Sequence, residues 1–167
     1  MKAKKLNIGC GKLHFNSSEK SEWINIDIEP LKKPDMLIDC TKGLPFEDES
    51  VEEIYAGHFF EHLTFNDMIK VIKDCNRVLK KGCYMVITIP DMLKTYKYYQ
   101  EGVFQRKMID LVAYGDEPNP ANNHKQILDE EYIIKVLNDY FETVQSIQFT
   151  HHMGYVTKAN THIKCIK

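Results

Sequence analysis

The sequence predicts an α/β fold with a mostly parallel sheet and one antiparallel strand, and three observations carry that reading. Leu6 and Ile8 form a short apolar strand that runs straight into Gly9 and Gly11, where the chain must turn sharply. Further short strands follow at Trp23–Asp27, Asp35–Cys40 and Val51–Tyr55, and the first two close on acidic residues. Strand and helix patterns then alternate, and the chain closes with two strands, Val144 to Phe149 and Thr161 to Ile166, read as a hairpin around Met153-Gly154.

Each element has a local reason. Trp23-Ile24-Asn25-Ile26-Asp27 alternates apolar and polar residues, and Pro30 stops the extended run. Thr64-Phe65-Asn66-Asp67 reads as a helix N-terminus, with Thr64 as cap and an acid three residues on. Met68, Ile69, Ile72, Cys75 and Leu79 recur at spacings of three and four, and Lys80-Lys81-Gly82 reads as a basic last turn with a C-cap glycine. Tyr84 to Ile89 is apolar enough for a central strand, broken by Pro90-Asp91. From Met92 to Lys125 aromatic residues are scattered among polar ones, which reads as one or two helices followed by a loop over 115–123. Such a segment serves as a lid or substrate surface, or is simply mobile; Tyr96 to Tyr114 either line an acceptor pocket or pack on the sheet. Asp129 opens a last helix with Ile133, Ile134 and Leu137 on its buried side.

Composition bounds the function. The 167 residues suit one domain over 1–167, and no repeat or linker divides them. A formal charge of −2, from 22 basic and 24 acidic residues mixed along the chain, leaves no footprint for nucleic acid or an anionic membrane. Five cysteines without a Cys-x-x-Cys pair suggest neither a disulfide framework nor a zinc cluster, and no signal or membrane-length apolar run appears. A cytoplasmic location with reduced thiols is expected.

Strand ends carrying Gly9, Asp27, Asp39 and His58 fall along one edge of a parallel sheet, where open α/β sheets bind ligands. Asp27, after a glycine turn on the preceding strand, can accept both ribose hydroxyls of a nucleoside, or can be a solvated strand-end residue. A nicotinamide dinucleotide site would want a third glycine where His14 stands, and a helix N-terminus there for the pyrophosphate. His58-Phe59-Phe60-Glu61-His62 spells the His-x-x-Glu-His string of inverted zinc proteases. That chemistry needs a helix, whereas the capping pattern starts the helix at Thr64, so no metal site is expected and His62 reads as a hydrogen-bonded structural residue. The adjacent His151-His152 pair reads as solvated.

Leu6-Asn7-Ile8-Gly9-Cys10-Gly11, Ile24-Asn25-Ile26-Asp27, Leu44-Pro45-Phe46, His58 to Leu63, Arg77 to Gly82 and Ile89-Pro90-Asp91 resemble, in order, the motifs of class I S-adenosylmethionine (SAM)-dependent methyltransferases. The similarity is greatest to the group called methyltransferase type 11. The resemblance implies a Rossmann-like, seven-stranded sheet with the last strand antiparallel, and SAM lying across the strand ends. It also implies methyl transfer to a small-molecule, sugar or lipid-precursor acceptor, with S-adenosylhomocysteine as product. The cofactor-binding residues it implies are Asn7, Gly9, Cys10, Gly11, Asp27, Ile28, Asp39, Cys40 and His58. Gly9 and Gly11 would face the methionine part, Asp27 the ribose and Asp39, beside Cys40, the adenine amino group, with His58 below the sulfonium.

The chain departs from that pattern in three places. Asn7 stands where the group carries Asp or Glu, Leu13 takes the place of the third glycine, and Lys12 to Glu22 leave room only for a shortened first helix. The pocket is then open, or is closed by residues 92–125, a second copy or a partner chain. For a hydroxyl acceptor the candidate bases are His58 and His124, against roles as cofactor floor and loop anchor. The alternative function is a SAM-binding or degenerate methyltransferase-fold module that works through a partner protein.

Overall fold

The computed structural model describes residues 2–116, 122–148 and 158–167; the expectations placed on 117–121, Phe149, His151-His152 and Met153-Gly154 lie outside them. The strands are β1 (Ala3–Ile8), β2 (Ser21–Asp27), β3 (Met36–Leu37), β4 (Val51–Gly57), β5 (Leu79–Pro90), β6 (Thr143–Ser146) and β7 (Asn160–Ile166). They form one sheet in the order β3-β2-β1-β4-β5-β7-β6. β7 runs antiparallel to both of its neighbours, and the remaining pairs are parallel. The seven-stranded class I arrangement is therefore present. The strand order turns back between β1 and β4, so the loops leaving those strands diverge and open a crevice at their carboxyl ends.

Helix α1 (Phe65–Val78) begins where its cap signal stands: Thr64 Oγ1 accepts from Asp67 N at 3.2 Å. Met68, Val71, Ile72, Cys75 and Val78 bury one face against the sheet. α2 (Met92–Gln100) and α3 (Arg106–Tyr114) fill the segment after β5, and α4 (Glu130–Leu137), capped by Asp129, buries Ile133 and Leu137. The shortened first helix expected between β1 and β2 is absent: Lys12 to Lys20 contain no helix, because the few residues of this crossover are held as a loop by Asn7 and Asn25, so the first crossover is a bare loop.

β6 stops at Ser146, short of the expected run to Phe149, and two further boundaries differ because tertiary pairing overrides a local signal. Lys80-Lys81-Gly82 does not end a helix, for α1 stops at Val78 and Leu79 already pairs with Val51. The next paired residues are Glu53 and Tyr84, so the residues between bulge outward, and Gly82 takes φ +72° while donating to Lys167 O at 2.8 Å. The third strand pairs only at Met36 and Leu37, because Asp39 turns inward on its own chain and caps the 3-10 turn Cys40–Lys42.

Arg77 ties two sequence motifs together. Its guanidinium donates to Leu44 O at 3.0 Å and Phe46 O at 2.8 Å while pairing with Asp74 and Asp48, which fixes the chain entering β4. Asp91 plays a similar part after β5. Its carboxylate caps α2 through Lys94 N at 3.0 Å and also accepts from Thr161 Oγ1 at 2.8 Å and Glu130 N at 3.2 Å.

On β7, His162 is 8% exposed and shares a 2.9 Å hydrogen bond with Thr88 Oγ1. Burial, with His58 and Lys94 nearby, holds its pKa below the ordinary value. The unfolded chain, near the usual value of about 6.5, then takes up this proton first as pH falls. This contribution to stability is present above that pH and is lost between it and the folded-state pKa. Urea midpoints should therefore fall between pH 7 and 5, and should fall less steeply in His162→Gln.

Candidate active site

The carboxyl ends of β1, β2 and β4 surround a cleft of about 470 Å³. Gly9 and Gly11 line it at φ +60° and +52°. A Cβ on Gly9 would stand 2.3 Å from Phe59 Cδ2, whereas one on Gly11 would meet no atom within 4 Å. Gly9 is thus required by packing. Gly11 instead keeps its face of the loop clear.

Asp27 ends β2 at the wall of this cleft. One carboxylate oxygen accepts from Gly11 N at 2.8 Å and the other from Glu29 N at 2.9 Å. The two bonds hold the carboxylate in one orientation and leave each oxygen further lone-pair capacity. Ile28, 62% exposed, lies beside it along the cleft. Asp39 lines the same cleft; hydrogen bonds from Thr41 hold its pKa below the ordinary carboxylate value, and Lys42 adds to the effect, so it is a carboxylate at neutral pH. Cys40 follows it with a thiol pushed up to about 12 by burial, with Asp39 and Asp27 adding to the shift. Cys10 is likewise pushed up to about 12, by burial and then by Asp27 and Asp35. Neither is a thiolate near neutrality, so thiolate nucleophilic chemistry has no candidate in them.

Asn7 and Cys10 are not among the cleft-lining residues. Asn7 is 1% exposed, and its amide donates to Leu13 O at 2.6 Å and Asn25 Oδ1 at 3.0 Å. Asn25 in turn accepts from Phe15 N at 2.8 Å and donates to Asp35. The amide that replaces the group's usual acid is therefore spent bracing the loop after Gly11. That bracing explains how the chain crosses to β2 without a helix.

His58 follows β4 in the left-handed region, at φ 51°, held by its N–H to Thr88 O at 2.8 Å. Its ring is spanned on both sides. Asn160 Nδ2 donates to Nε2 at 2.9 Å, which places the proton on Nδ1, and Nδ1 donates to Glu61 Oε1 at 3.2 Å. His124 does not line the cleft; its Nδ1 donates to Val112 O at 2.8 Å, and burial holds its pKa down. The structure thus brings Gly9, Gly11, Asp27, Ile28, Asp39, Cys40 and His58 to one cleft and sets His124 just outside it.

Sequence reasoning missed two members of this neighbourhood. Glu61 is fully buried, and its Oε2 has no hydrogen-bond partner among the described residues. An unpaired buried polar atom costs about 1–3 kcal/mol, more when charged, and its signal was the His-x-x-Glu-His string. Asn160 reaches His58 from the antiparallel strand β7, and no local pattern announces it.

The comparisons agree with this geometry. Residues 6–87 match the family described as methyltransferase domain. No curated protein sequence matches the chain. Among solved structures, a SAM-dependent methyltransferase from Archaeoglobus fulgidus superposes with a TM-score of 0.67 at 17% identity, covering 99% of this chain and 86% of that one. A Thermotoga maritima enzyme described as a possible histamine N-methyltransferase gives 0.61 at 19% identity, covering 99% and 82%. A Haloferax volcanii methyltransferase complexed with the Trm112 methyltransferase activator gives 0.58 at 12% identity, covering 99% and 83%. Residues 6–87 thus match the methyltransferase domain family by sequence, and the chain over its length has the fold of the SAM-dependent methyltransferases of known structure.

Proposed function

We propose that the cleft binds SAM and that the chain transfers its methyl group to a small-molecule, sugar or lipid-precursor acceptor. The observation that carries this reading is the Asp27 carboxylate, fixed by Gly11 N and Glu29 N at the wall of a cleft whose glycine loop is open opposite it. The residues fit the cofactor. Asp27 accepts from the ribose hydroxyls, with Ile28 packed along the same wall. Asp39, a carboxylate at neutral pH, accepts from the adenine amino group beside Cys40. Gly9 and Gly11 let the backbone approach the methionine part, and Asn7 and Cys10 support that loop from behind. When bound, SAM supplies a methyl group on a sulfonium, a leaving group already activated, so positioning the acceptor provides most of the rate.

His58 has both ring nitrogens engaged and serves as the floor of the site, with its proton held on Nδ1. Residues 92–125 provide the acceptor side, since Asn122, Asn123 and Lys125 already line the cleft. Calorimetric titration with S-adenosylhomocysteine tests the reading, with micromolar affinity, about −8 kcal/mol, expected. S-adenosylhomocysteine release from SAM over panels of hydroxyl and amine acceptors then identifies the acceptor atom.

A second reading, a cofactor-binding module that works with a partner chain, draws on Ile28, Leu31 and Leu37, exposed by 62%, 84% and 60% around the β2–β3 edge. It predicts no S-adenosylhomocysteine binding by the folded chain alone. Among the described residues no helix is long and apolar enough to cross a membrane.

A further inference from the structure

Three side chains with no part in the proposed cofactor contacts converge at the border of the cleft. Glu61 and His62 sit on the 3-10 turn Phe60–His62 after β4, and His124 is carried by a segment docked on that turn through Lys125 N to Glu61 O at 2.8 Å. One ligand atom from each of Glu61, His62 and His124 lies within 4.8 Å of the others. The two imidazoles meet edge to face with 5.0 Å between centroids.

The hydrogen bonds around the cluster set its donors. His124 Nδ1 donates to Val112 O at 2.8 Å and His62 Nδ1 to Asn123 O at 3.3 Å, so each ring keeps the lone pair on Nε2. Histidines that ligate metals hold their other ring N–H on a carbonyl or carboxylate in the same way. The Glu61 side chain is 1% exposed and is oriented by His58 on Oε1, while Oε2 lacks a partner among the described residues. A cation would satisfy that oxygen.

We propose that Glu61, His62 and His124 form a binding site for a divalent first-row transition ion such as Zn²⁺, Mn²⁺, Fe²⁺ or Co²⁺. Two imidazoles and one carboxylate suit these ions; Mg²⁺ and Ca²⁺ prefer all-oxygen shells. The His-x-x-Glu-His string does not form its helical two-histidine site here, for His58 is hydrogen-bonded to Glu61 and Asn160 instead. A 3-10 turn presents Glu61 and His62, and the third ligand comes from 62 residues downstream. His62, Asn123 and Lys125 line the cleft, so the ion borders it, and three protein ligands leave coordination positions for solvent or substrate oxygen. That last step rests on the methyl-transfer reading, and it points to an acceptor held through a hydroxyl or other oxygen.

The test is a cobalt(II) chloride titration of the tag-free protein, followed by its visible absorption bands, with S-adenosylhomocysteine calorimetry on the same samples. One equivalent of Co²⁺ should bind, at least tenfold more weakly in Glu61→Gln and not measurably in His62→Ala/His124→Asn. Both variants should keep the wild-type circular dichroism spectrum. Absence of Co²⁺ binding by folded wild type, or unchanged binding in the double variant, overturns the site. Binding of S-adenosylhomocysteine without Co²⁺ removes the metal and leaves the methyl-transfer reading standing, and the reverse result removes that reading and leaves the metal.

Discussion

Gly9→Ala should destabilise the protein by about 2–5 kcal/mol, from two separable causes. A left-handed backbone costs an L-residue roughly 1–2 kcal/mol, and Gly9 sits at φ +60°. Overpacking costs about 1–3 kcal/mol more, because the new methyl would stand 2.3 Å from Phe59 Cδ2 and 2.9 Å from Cγ. Denaturant midpoints check the sum, and two further variants check the division. In a Phe59→Ala background, which removes Cγ and Cδ2, Gly9→Ala should lose most of the steric share and keep the backbone one. Gly11→Ala, at φ +52° with open space around its Cβ, should show only the backbone cost. If Gly11→Ala proved as damaging as Gly9→Ala, the steric account of Phe59 would be wrong.

Asp27→Ala should weaken S-adenosylhomocysteine binding by tenfold or more, at least about 1.4 kcal/mol. The variant loses the acceptor proposed for the ribose hydroxyls and also frees Gly11 N and Glu29 N, which now orient on the carboxylate. Its stability should fall by about 1.5–3 kcal/mol or more, the net worth of hydrogen bonds to a charged group, so the binding loss is read on protein shown to be folded by circular dichroism. Asp27→Asn keeps one acceptor oxygen and should fall between the two. Equal affinity across wild type, Asp27→Asn and Asp27→Ala would remove Asp27 from the site.

What the sequence disclosed, and what it withheld, divides along the range of the interactions. α1 and α4 were legible because cap and apolar stripe lie within a few residues of one another: Thr64 with Asp67, Asp129 with Tyr132. The parallel sheet and its reversed last strand followed from the order of such units and from the resemblance. Gly82 misled because a C-cap and a bulge glycine share the same positive φ, and only the pairing of Leu79 with Val51 distinguishes them. Asn7 reads as a weakened ligand until Leu13 O and Asn25 are found to occupy its amide. Glu61 with His124, and His58 with Asn160, are joined across the fold. No window along the chain holds both members of either pair.

The attachments of residues 92–125 bear on how that segment can move. At one end Asp91 is bound at once to α2, α4 and β7; at the other, Lys125 N and Gln126 N both donate to Glu61 O, at 2.8 and 3.3 Å. A flap hinged at one end swings clear of what it covers, whereas a strap fastened at both can only bow. The described residues of this segment that border the cleft, Asn122, Asn123 and Lys125, lie beside the second fastening and not in α2 or α3. That fastening is the turn that carries Glu61 and His62, so an ion at the proposed site, held also by His124, would add a second tie at the same end.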